Sequence, residues 1–185
     1  LHQMMQVLNR LSIPYVFEAK EDVLSDVTVQ KLLLVLRAVA DIDSDEFLVK
    51  TLQLDTFEIH PRDIIQLQHH ARNAKQSLWK VMDHLDSLEI DLLDKSQLLE
   101  VYKLLLKWHR LNHNASLDQV FTQVLKESGL LQSVLNSDQL LHSIHKLIAL
   151  YHQVQSKLQQ ELPTELTEFL PFLDLLETHG LKLEV

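Results

Sequence analysis

The stretch Leu8-Asn9-Arg10-Leu11-Ser12-Ile13-Pro14-Tyr15-Val16-Phe17-Glu18 decides how the rest of the chain reads. Before it, Leu1 to Leu11 has helical spacing, with Met4, Val7, Leu8 and Leu11 on one side. Pro14 lacks an N–H and disfavours α geometry at Ile13, so this helix stops by Ser12. Tyr15-Val16-Phe17 is β-branched and aromatic, which predicts a short strand. Beyond Glu18 nearly every segment has helical periodicity. The expectation is an all-α, multi-helix bundle with short strand-like segments at its two ends. A chain that leaves a strand and then stays helical reads as a helical insert of a larger protein.

The 185 residues are enough for one domain with a real core, and 46% of them are apolar. No run of about 18 uninterrupted apolar residues occurs, so no membrane span is expected. Zero cysteines exclude disulfides, thiol nucleophiles and thiolate metal sites, and suit a reducing cytoplasm. With glycine only at Gly129 and Gly180, no glycine-rich phosphate loop can be assembled. A net charge of −9 makes general affinity for nucleic acid poor, because that affinity comes from positive charge. Any DNA contact has to be local and weak.

The helices follow from capping residues and apolar spacing. Ser25 or Asp26 caps a helix over Val27 to Ala40, whose run Leu32-Leu33-Leu34-Val35-Leu36 is apolar on all sides and predicts deep burial. Ser44 starts a helix to about Leu54. Pro61 fits the first position of the next, and Ser77 or a neighbour starts another with Leu78, Val81, Met82 and Leu85 inward. Asp94-x-x-Gln97 resembles a capping box for a long helix to about Asn112, expected at the centre of the bundle. Ser116-x-x-Gln119 opens the next, which Gly129 ends. Ser137 begins the longest helix, to about Gln160, and Pro171 predicts a kink in the last. Leu181 to Val185 alternates like a strand that could pair with the first.

Most site readings fail on their own residues. His109 and His113 have the four-residue spacing of two zinc ligands, but Arg110 stands where a metalloprotease needs Glu, and both lie beside apolar positions. They read as satisfied core or boundary histidines. His142, His145 and His152 read as a solvated or partner-facing edge. Asp41-Ile42-Asp43-Ser44-Asp45 starts like a calcium loop, yet Glu46 replaces the required Gly and Leu52 the bidentate Glu. Trp79, Tyr102 and Trp108 read as core rather than base-stacking platforms. No catalytic set is singled out, and no metal site is assigned.

The ordered motifs do resemble a family. Leu8-x-x-Leu11-Ser12-Ile13-Pro14-Tyr15 is similar to the L-x-x-x-G-I-P-Y segment leading out of the second motor domain of UvrD/Rep-type DNA helicases, with Ser12 in place of glycine. Val29 to Arg37 resembles the first long helix of their inserted 2B subdomain. Asp41 to Leu52 resembles the acidic stretch that follows. Leu78-Trp79 and the segment from Val124 to Leu130 match further motifs in the same order, over about Leu8 to Gln155.

The resemblance implies a single helical domain over residues 1–185. Its insert would span about residues 19–160, flanked by segments 1–18 and 161–185 that lead to the motor. It implies an accessory subdomain of an ATP-dependent superfamily-one helicase, with ATP and Mg bound in motor domains elsewhere and no cofactor or catalysis here. The partners implied are those motor domains and duplex DNA. In the family a Gly-Ile-Gly turn at a helix N-terminus touches duplex DNA, and the matching stretch here is Phe57-Glu58-Ile59-His60-Pro61-Arg62. Glu58 and His60 replace the two glycines. The contact residues this implies are Ile59, His60 and Arg62, with Arg72 and Lys75 nearby. A helical protein–protein interaction module without DNA contact is the alternative reading.

Overall fold

The computed structural model describes residues 22–137, 140–159, 165–179 and Leu183. A 3-10 turn, Val23–Ser25, leads into α1 (Val27–Ala40) and α2 (Asp45–Leu52). A second 3-10 turn, Asp55–Phe57, precedes α3 (Pro61–Ala74) and α4 (Leu78–Asp83). After a third turn, Leu85–Ser87, come α5 (Lys95–Asn112), α6 (Leu117–Glu127), α7 (Leu130–Leu135), α8 (Leu140–Gln159) and α9 (Leu166–Thr178). Among the described residues there is no strand. The expected strand at Tyr15 to Phe17 and the helix before it lie outside the described residues. So does all of the expected C-terminal strand except Leu183.

The caps explain most boundaries. Asp26 accepts from the amides of Thr28 at 2.9 Å and Val29 at 3.2 Å, which starts α1. Asp94 accepts from Gln97 N–H at 3.0 Å, and the Ser96 hydroxyl and this amide hold its carboxyl below the usual range. Ser116 and Gln119 form the reciprocal box expected at α6. Gly129 takes φ 77, the left-handed geometry that ends α6 and turns the chain into α7. Pro171 lies inside α9, where the helix continues through it.

Helix α1, not α5, occupies the centre. It packs against α2, α5, α6, α7, α8 and α9. Val29, Leu32, Leu33, Val35, Leu36, Ala38 and Val39 are all buried, as the apolar run predicts. Helix α5 buries one face, Leu98, Val101, Tyr102, Leu105 and Trp108, while Leu99, Leu104, Leu106 and Leu111 are only half-buried. Leucines on a flank satisfied each other's periodicity without being central.

Polar ties lock the layers. Lys146 on α8 lies 3.6 Å from Asp26, and both side chains are under a tenth exposed. Arg37 on α1 pairs with Asp174 on α9 at 2.5 Å. Trp108 is fully buried and donates its indole N–H to Glu127 at 2.9 Å. Burial pushes the Glu127 carboxyl up, but bonds from Lys107, Trp108 and Gln123 outweigh it and leave the group below its usual range. Finally, the amide of Val23 donates to the carbonyl of Leu183 at 2.8 Å, and both residues are buried.

Candidate nucleic-acid interface

The turn into α3 is built by Phe57, which is buried and anchors the 3-10 turn Asp55–Phe57. Gln97 on α5 donates to the Phe57 carbonyl at 2.8 Å. Lys31 on α1 pairs with Asp55 at 2.7 Å and holds its carboxyl below the usual range. Glu58 then takes φ 51 and ψ 29, a left-handed conformation that costs a residue with a Cβ about 1–2 kcal/mol. Ile59 is half-buried against the core. His60 caps α3, its Nδ1 accepting from the Arg62 amide at 3.1 Å, and Pro61 occupies the first turn.

Arg62 and Asp63 leave this point in opposite directions. The Arg62 guanidinium is half exposed and pairs with the exposed Asp91. Asp63 is fully buried and accepts from the amides of Leu93 at 2.9 Å and Asp94 at 3.0 Å. The loop before α5 is thereby stapled to the first turn of α3. Nothing in the sequence signals this, since an acidic residue in a first turn is ordinary helix chemistry.

The five residues implied by the resemblance do not converge. Ile59, His60 and Arg62 share the N-terminal end of α3. Arg72 lies in its last turn, and Lys75 forms its C-terminal cap at φ 52. Thirteen residues separate Arg62 from Lys75, which is about 20 Å at the standard helical rise. Both far residues are exposed. The arrangement is therefore one helix with a cation at each end. Around its N-terminal end Glu58, Asp91 and Asp94 are exposed as well, so the local charge is mixed.

The other candidates fall into structural roles. Asp45 accepts from the Leu78 amide at 2.7 Å and so caps α4 from across the molecule. The Tyr102 hydroxyl donates to Asp83, and its ring lies 4.6 Å from that of half-buried Trp79. Burial, followed by that bond, pushes the Tyr102 phenol up to about 12. His142, His145 and His152 are exposed along α8. Among the described residues no group of three or more histidines and carboxylates is placed to hold a metal ion. No helix among them is long and apolar enough to cross a membrane.

One further surface stands out. An apolar groove of about 360 Å³ opens between α6, α7 and α8, lined by Phe121, Leu125, Leu131, Ile144, Ile148 and Tyr151. Leu135, Leu141 and Ile148 on the same two helices, α7 and α8, are about half exposed or more.

Neither a protein-family model nor a curated protein matches this chain.

Proposed function

We propose that this chain is the accessory, regulatory subdomain of an ATP-dependent DNA helicase of the UvrD/Rep type. In this reading it positions duplex DNA ahead of the fork and moves between open and closed states against motor domains of the same chain. ATP and Mg belong to those motor domains, and the subdomain itself performs no catalysis. The observation that carries the reading is the backbone of Glu58. That residue stands where the family's turn has its first glycine, and it takes a left-handed conformation that glycine adopts without cost. The meeting of Val23 and Leu183 adds the geometry of an insert that leaves and returns at one place. The phosphate contact then falls to the N-terminal end of α3, with Ile59, His60 and Arg62, and at longer reach to Arg72 and Lys75.

The test is fluorescence anisotropy with a labelled blunt duplex at about 50 mM salt, where weak backbone contacts are strongest. Glu58→Gly and Asp91→Asn each remove a negative charge beside the turn, and both raise affinity. His60→Ala with Arg62→Ala lowers it and reduces the salt slope by about one. If all of these variants bind as the parent does, the reading fails.

A second reading, a helical protein-interaction module without DNA contact, is favoured by the apolar groove between α6, α7 and α8. Gene sequence on either side of this segment separates the two. A Walker loop upstream and a T-x-H-x-x-K-G-L-E run downstream support the helicase.

A further inference from the structure

The C-terminal ends of α1 and α5 meet at a pair of histidines. His109 lies in the last turn of α5 and His113 caps it. His109 Nδ1 is 2.8 Å from the carbonyl oxygen of Val39, in the last turn of α1. A carbonyl only accepts, so Nδ1 carries a proton, and in the neutral ring Nε2 keeps its lone pair. His113 Nε2 stands 3.3 Å from that same Nε2. With His109 in that tautomer, an N–H on His113 Nε2 can donate across this gap.

We propose that His109 and His113 form a two-nitrogen chelate for a borderline divalent cation of the zinc type. Two nitrogens, each about 2.0–2.1 Å from zinc at a tetrahedral angle, sit about 3.3–3.4 Å apart, which is the separation found here. The carbonyl on His109 Nδ1 is the outer partner that metal-bound histidines keep, because it fixes the ring and its tautomer. The helix ends add their own field. The last carbonyls of α1 and α5 give this corner partial negative charge from two directions, which favours a cation. Arg37, the basic residue in the last turn of α1, is drawn away into its pair with Asp174. Arg110, exposed on α5, is the opposing charge.

The rings now meet edge to face at 87°, with centroids 4.7 Å apart. Chelation requires His113 to shift its proton to Nδ1 and rotate about its own torsions, which an exposed side chain can do. His109 stays where Val39 holds it. Water completes the coordination, since two protein ligands leave positions open. The site stands apart from the helicase reading and survives its failure.

Isothermal titration of the 185-residue chain with zinc chloride, from a chelator-treated start, provides the test. Wild type binds about one equivalent ahead of any weaker sites. His113→Ala weakens that step by about tenfold or more, because even the outer partners of ligands carry that much. His69→Ala with His70→Ala, at an exposed and a half-buried position on α3, leaves it unchanged. Imidazole nitrogen spectra add a readout of structure: zinc moves the Nε2 signals of His109 and His113 together, while the His109 Nδ1 proton persists. His113 is exposed, so His113→Ala keeps the fold, which circular dichroism checks. Zinc binding to His113→Ala as tight as to wild type overturns the proposal. So does a wild-type titration with no step, or one that the His69 and His70 substitutions abolish.

Discussion

The amide of Val23 donates to the carbonyl of Leu183 at 2.8 Å, across a sequence separation of nearly the whole described chain. Val23 is fully buried and Leu183 is 4% exposed, so the contact is part of the core rather than a surface encounter. The turn Val23–Ser25 packs against α8 as well as α1, so the first and last described segments and α8 lie together. Replacing Leu183 by Ala should lower the unfolding free energy by about 2–3 kcal/mol, the cost of a buried leucine with its cavity. Urea melts of the variant check this. A change below about 0.5 kcal/mol, the range of surface substitutions, would mean that Leu183 is not in the core.

Asp63 gives a sharper local test. Its carboxylate takes the amides of both Leu93 and Asp94. Asp63→Ala leaves two donors unpaired and should cost about 2–4 kcal/mol. Asp63→Asn keeps one acceptor and should cost less. Hydrogen exchange locates the loss: the Leu93 and Asp94 amides should exchange faster in Asp63→Ala than those of α6, which do not depend on this staple.

Acid should weaken the α5–α6 contact through Glu127. Its carboxylate holds Trp108, Lys107 and Gln123 together, and its folded pKa lies below the unfolded 4.5. A depressed carboxylate contributes stability that is fully present above the unfolded value and lost as pH falls through the folded one. Wild type should therefore lose stability relative to Glu127→Gln as pH falls from neutral to below 4.5. The near-ultraviolet tryptophan signal, measured in a Trp79→Phe background, with urea melts at each pH, reports it. A difference that stays constant with pH would place the effect outside this group's ionisation.

Local chemistry made much of the fold legible. Asp26, Ser77, Asp94 and the Ser116–Gln119 box start helices where their side chains reach unpaired amides, and each is a signal carried within four residues. Short elements were harder. The helix α7 after Gly129 is six residues long, too short for periodicity to register. Leu85 is inward as expected, but on a 3-10 turn rather than a continued α4.

The candidate interface was legible only in part. Pro61 marks the start of α3, while Glu58 gives no hint of its left-handed backbone, a conformation a tertiary context imposes on a residue that does not prefer it. The Asp91 partner of Arg62 lies 29 residues away, and the Val39 partner of His109 lies 70 away. Neither separation has a periodicity to read.

What the amino-acid order determined by itself is the longer helices and their apolar faces, because capping and burial preference act over a few residues. The tertiary structure alone decided that α1 is the centre, that Val23 meets Leu183, and that His109 and His113 share a corner with the end of α1. These depend on which faces pack together, and many pairings of leucine-lined helices satisfy the same spacing. Shape, buried polar partners such as Asp63 and Lys146, and chain connectivity select one of them.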